Sequence, residues 1–377
     1  MQRSGFTDLP LHGGKAPRWL FKRMVGLAEG IVDVLSYEFG TDELIRRLSD
    51  PFWFQAFSCV LGYDWHSSGT TTVTCGALKE AIKPEKHGLA IAGGKGKRSK
   101  NTIQEIQNSS ELLCVPDSKI TDLQYASRMA AKIDTAMIQD GYNLYHHVFF
   151  FSEDGCWGVI QQGMNNETSY ARRYHWISDN VTTFIREPHQ SILGNSVHRH
   201  VLNMTATESE QTQKTSLDLI NDNPRHLQRT WSQLKLPPQQ TTLDGSVHKI
   251  RYADVDSFKL PTSVNWNLLR QIYEFQPTNY EELLSHRGVG PSTVRALALI
   301  SDLLYGSKPS WMDPVKYSFT VGGKDGVPFP IDTRAMDESI DIINNAVRQA
   351  KIGSKDQLLA IKRLKRFAET RVNKKDN

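Results

Sequence analysis

A chain of 377 residues exceeds one ordinary domain, at roughly 150 residues per domain, and points to two or three. Its 39% hydrophobic and 23% charged residues are those of a folded protein, and no apolar run approaches the roughly 20 residues that cross a membrane. Forty-five basic residues against 41 acidic leave a net charge of +4, too small by itself to imply nucleic acid.

The first 200 residues read as a mixed α+β domain, with helical periodicity over about 17–38, 41–61, 70–83 and 102–112. His12-Gly13-Gly14-Lys15 precedes the first helix, and Gly-Gly-Lys recurs at Gly93-Gly94-Lys95 and Gly322-Gly323-Lys324. Glycine lets backbone amides approach an anion, and lysine adds charge. The middle copy is the most basic, so Lys95, Lys97 and Arg98 are expected against DNA phosphate; the plainer reading is a solvated turn. No copy fits Gly-x4-Gly-Lys-[Ser/Thr], which argues against a nucleoside triphosphate loop. Asp64-Trp65-His66-Ser67-Ser68 stands before a helix, where hydroxyls cap the first turn or bind phosphate.

Tyr145 to Phe151 and Cys156 to Met164 are aromatic and β-branched runs flanking Asp154-Gly155, which predicts a β-hairpin. Folding it there sets His146 and His147 opposite Gln161 and Gln162. Asn165, Arg172, Arg173 and His175 follow closely, and with Asp64 and His66 these form a candidate base or substrate pocket. Arginine grips phosphate, amides read base edges and aromatic rings stack on bases. The competing reading is a sheet with a polar edge.

Cys59, Cys75, Cys114 and Cys156 are scattered without metal-ligand spacing, which suggests reduced thiols and a cytoplasmic protein without a structural metal. Around 205–250 the chain turns to Thr, Ser, Gln, Asn and Pro, so 201–262 is expected to be a linker or surface excursion. Helical periodicity then defines a third segment, 263–377. It ends in a basic helix with eight Lys or Arg against two acids between Lys355 and Lys375.

In the third segment, Glu281 to Ser285 leads into His286-Arg287-Gly288-Val289-Gly290, after which Pro291 opens a second helix running to Gly306. Two glycines permit a tight hairpin, and the amides beyond it face outward at the positive end of the helix dipole. Arg287, Gly288, Val289, Gly290, Ser292 and Thr293 are the candidate DNA-backbone contacts; a structural hairpin is the alternative.

This stretch resembles the helix-hairpin-helix motif, which grips DNA backbone without reading sequence. In helix-hairpin-helix glycosylases a segment similar to Val327-Pro328-Phe329-Pro330-Ile331-Asp332-Thr333 supplies a catalytic aspartate, which the resemblance places at Asp332. The spacing from Gly290 is longer than that pattern, so 307–326 must loop out, and Asp332 is otherwise a helix N-cap. Ser292 stands where strand-cleaving glycosylases carry a Schiff-base lysine, which implies a monofunctional enzyme. Leu11 to Pro17, Asp50 to Gln55, Asp64 to Gly69, Gln161 to Asn165 and Ala171 to Trp176 together resemble an archaeal and bacterial family, domain of unknown function 763. That family implies membership without a reaction.

The leading expectation is a DNA-repair hydrolase excising a damaged base, with DNA as partner, no membrane and no cofactor. One alternative is a nuclease using a divalent metal such as Mg at Asp64, His66, His146, His147 and Asp154. Another is a non-catalytic DNA-binding or scaffold protein.

Overall fold

The computed structural model describes residues 9–11, 16–63, 67–235, 239–241, 247–249, 261, 264–315 and 333–372. The fold is α+β, as the sequence indicates. At its centre is an antiparallel five-stranded sheet of β1 (Leu89–Lys95), β3 (Asn143–Ser152), β4 (Trp157–Asn165), β5 (Tyr170–Ile177) and β6 (Ser191–Leu193), in that order. A small sheet sets β7 (Arg199–Asn203) between β10 (Ser310–Met312) and β2 (Ile138–Gln139), and β8 (Gln239–Thr241) pairs with β9 (Val247–Lys249).

Side chains alternate across the sheet, and both faces are covered, which is why β3 carries an uninterrupted apolar run. Ala90, Ala92, Phe149, Phe151, Val159 and Trp176 enter one core. There they meet α6 (Thr102–Leu112), α7 (Asp117–Lys132), α8 (Glu210–Asn221), α9 (Pro224–Lys235), α10 (Trp266–Phe275), α11 (Tyr280–Ser285) and α12 (Pro291–Tyr305). Leu89, Ile91, Val148, Phe150, Ile160 and Ile177 enter the other. That core is closed by α1 (Arg18–Phe39), α2 (Thr41–Ser49), α3 (Pro51–Leu61), α4 (Ser68–Ala81), α13 (Thr333–Gln349) and α14 (Ser354–Val372). The short α5 (Pro84–His87) leads into β1.

Two features of the chain's organisation differ from expectation. Within the expected linker over 201–262, residues 201–235 are instead strand β7 followed by α8 and α9, both helices packed into the first core; most of 236–262 lies outside the described residues. Its Thr and Ser residues are buried because they find partners: Thr212 Oγ1 donates to Ser307 O at 2.9 Å, and Ser216 Oγ lies 3.3 Å from Ser301 Oγ. Hydroxyls bury readily when hydrogen-bonded, so polar composition alone misreads such a helix. Nor does 263–377 form one helical body. Helices α10–α12 lie in the first core, whereas Ile343, Val347, Leu364 and Phe367 of α13 and α14 pack in the second with Met24, Phe52 and Phe57.

The expected continuous helix over 41–61 is two helices, because the Asp50 side chain accepts the Trp53 amide at 2.8 Å and Pro51 starts a new first turn. Among the described residues no helix is long and apolar enough to cross a membrane.

Candidate functional site

The hairpin of β3 and β4 turns at Ser152 to Gly155, where Gly155 has φ +91° and its amide donates to Ser152 O at 3.1 Å. Its register sets His146 beside Gln162 and His147 beside Gln161, and β5 adds Arg173 beside Gln162 and Tyr174 beside Gln161. The pocket residues expected from the sequence therefore divide into two rows on opposite faces. All seven of His146, His147, Gln161, Gln162, Arg172, Arg173 and His175 are buried.

On the face covered by α7, the row closes on itself. His147 Nδ1 donates to Gln161 Oε1 at 2.9 Å, and Ser127 Oγ donates to His147 Nε2 at 2.9 Å. Gln161 Nε2 donates to Asp134 Oδ2 at 2.6 Å, and Asp134 also receives Trp176 Nε1 and pairs with His189. Asp134 sits in a π-helical turn, Ile133–Met137, and burial pushes its carboxyl above the usual range against the pull of His189. Arg172, on the same face, pairs with Asp140 at 2.9 Å and Asp313 at 2.8 Å. Burial opposes its charge, but these two carboxylates outweigh burial and hold the guanidinium above its ordinary value. Asp134, Asp140 and Asp313 are visible in the sequence only as isolated acids among apolar or turn residues, and His189 carries no sequence signal.

The opposite row runs Lys95, His146, Gln162, Arg173 across β1, β3, β4 and β5. An extra residue at Tyr145 shifts the register between Leu144 and His146, a bulge of the kind that re-aims side chains. Tyr145 Oη consequently accepts from Gln162 Nε2, which also donates to Ser68 O at 3.0 Å. Arg173 donates to Gln55 Oε1 at 3.0 Å and Thr71 Oγ1 at 3.3 Å, with the Phe54 ring 5.0 Å away. Burial pushes Arg173 down to about 10 and His146 down to about 3, the latter helped by His147 and Lys95. His175 Nδ1 lies 3.0 Å from Ser49 O, and Asn165 only caps its own turn, accepting the Glu167 and Thr168 amides.

Asp64 and His66 lie outside the described residues, as do His12 to Lys15 and Asp332. The flanks of the first two segments meet, since the Ser68 amide donates to Pro10 O at 3.1 Å. Lys95, Lys97 and Arg98 are exposed where β1 ends. Among the described residues, no three His, Cys, Asp or Glu side chains are placed to hold a metal ion.

The turn between α11 and α12 is a surface feature. Arg287, Gly288, Pro291 and Ser292 are exposed, while Val289 and Thr293 are buried beneath them. Gly288 has φ +97° and Gly290 precedes α12 with an extended backbone. Lys132 Nζ donates to His286 O at 2.6 Å, and burial pushes this lysine down to about 8. The nearby open cleft of about 560 Å³ contains Glu281 and Glu282, so its charge does not suit a polyanion.

The family described as protein of unknown function (DUF763) matches residues 5–331. The chain belongs to this family. Its matched span takes in both buried rows and the α11–α12 turn, and stops just before Asp332. No curated protein and no solved structure matches the chain.

Proposed function

We propose that this member of the family binds the sugar–phosphate backbone of DNA through the turn between α11 and α12. The observation that carries the reading is the contrast within seven residues: Val289 and Thr293 anchor the turn, while Arg287, Gly288, Pro291 and Ser292 face solvent. A backbone phosphate can there reach the first amides of a 15-residue helix, its positive dipole end and the Arg287 guanidinium. Such contacts position a protein on DNA without selecting sequence.

Base excision would add Asp332, which lies outside the described residues. The helix that follows it, α13, packs in the core on the opposite side of the sheet from α11 and α12. The reading adopted is therefore backbone binding with no reaction assigned.

Ser292→Asp tests it. An acid in the first turn favours the helix dipole, so the fold should be unharmed, yet the charge opposes phosphate. Fluorescence anisotropy with unrelated duplexes should show roughly tenfold weaker binding for every sequence, as expected for the loss of about 1.4 kcal/mol. Unchanged affinity would refute the reading.

A further inference from the structure

The two polar rows differ in a way that the fold does not require. On the α7 face every member of the Ser127, His147, Gln161 and Asp134 chain has a partner, and Arg172, although its Nε is also unpaired, is neutralised by Asp140 and Asp313. On the other face both ring nitrogens of His146, the Oε1 of Gln162 and the Nε of Arg173 are buried without one. Arg173 is 0% exposed, and among the described residues no carboxylate pairs with it. Its contacts are a hydroxyl, an amide oxygen and an aromatic ring. An uncompensated cation in a protein interior is costly, and so is each orphaned donor or acceptor.

We propose that the row formed by His146, Gln162 and Arg173 is a binding site for a phosphate group, entered from the Lys95 edge of the sheet. The missing partners are those a phosphate supplies. Its oxygens accept from Arg173 Nε–H and from a ring N–H of His146, with the strength that a charged pair brings. Gln162 Oε1 is an acceptor already oriented by two donations from its own amide nitrogen, so it takes an O–H. A protonated phosphate oxygen or a sugar hydroxyl beside the phosphate provides that group. The bulge at Tyr145 puts two consecutive side chains, Tyr145 and His146, against Gln162, a departure from alternation that frequently accompanies binding sites.

Charge along the row supports the direction of entry. Lys95 is exposed on the edge strand, its ammonium 5.7 Å from the Tyr145 ring, and Lys97 and Arg98 stand exposed just beyond it. A cationic margin leading inward raises the local concentration of anions. The site is independent of the α11–α12 turn, whose helices cover the other face of the sheet.

Thermal unfolding of the full chain in inorganic phosphate, against sodium chloride of equal ionic strength, tests this. The wild-type midpoint should rise with the logarithm of phosphate concentration above its dissociation constant, by on the order of 2 °C once phosphate is about tenfold above that constant. Arg173→Met removes the lone cation, and Thr71→Asp gives it an internal carboxylate. Both should unfold at the same or a higher temperature without phosphate, and both should lose the phosphate increment. If Arg173→Met fails to fold, Thr71→Asp still decides. Oligonucleotides with and without a 5′-phosphate separate the sources: an increment from the phosphorylated strand assigns a DNA end, and one from inorganic phosphate alone assigns the free anion. Absence of any increment over sodium chloride in the wild type, or its survival in Thr71→Asp, would overturn the proposal.

Discussion

Arg172 and Arg173 are neighbours in the chain, yet Arg172 is clamped between Asp140 and Asp313 while Arg173 meets no carboxylate among the described residues. Adjacent residues of a strand point to opposite faces, so one step along β5 separates a closed ion cluster from an open one.

Arg172→Met should be strongly destabilising. It leaves Asp140 and Asp313 buried without their cation and frees the segment around Ser310 to Asp313 from the sheet. Breaking one side of such a pair costs about 3–5 kcal/mol, read as a shift in the urea midpoint. A loss below about 1 kcal/mol would show that the cluster does not hold this segment.

Acid should weaken the fold before carboxylates titrate. Burial pushes His146 to about 3 and His147 to about 4, and holds His175 well below 6.5. These rings stay neutral in the folded protein, whereas in the unfolded chain they protonate near 6.5, so below that pH the unfolded state binds more protons. Their contribution is complete above pH 6.5 and is lost as pH falls toward 4, at roughly 1 kcal/mol per unit for each ring. Denaturant midpoints from pH 7.5 to 4.5 check this, and His147→Gln should reduce the slope by about one third. A midpoint constant down to pH 5 contradicts it.

Gly93→Ala should abolish or cripple folding. Gly93 has φ +93°, and a Cβ there would lie 2.2 Å from His147 O and 2.8 Å from Thr102 Oγ1. The first contact is backbone within the β1–β3 pair, so relief means separating the strands. The expected loss exceeds about 4 kcal/mol, visible as insoluble expression or a collapsed unfolding midpoint. A soluble variant with a wild-type midpoint would show that β1 can shift.

Gly288→Ala should act on both the turn and the proposed DNA contact. Its φ of +97° disfavours any side chain, and a Cβ would stand 3.1 Å from Leu268 Cδ1. Stability should fall by about 1–2 kcal/mol, and duplex affinity should fall alike for all sequences. A loss confined to particular sequences would argue for base reading at this turn.

The sequence by itself determined the local elements whose signals lie within a few residues. The turn at Asp154-Gly155 sets the register of His146 and His147 against Gln162 and Gln161, and Pro291 and Gly306 bound α12. The family match also rests on sequence alone. Only the tertiary structure decided what those residues face. Alternation divides His146 from His147 and Arg172 from Arg173, but which face holds Asp134, Asp140 and Asp313 depends on segments distant in the chain. Polar composition made α8 look like linker because its buried hydroxyls are satisfied by Ser301 and Ser307, far along the chain. The unpaired atoms around Arg173 were invisible for the same reason: whether a buried charge has a counter-ion depends on three-dimensional packing, and residue order does not record it.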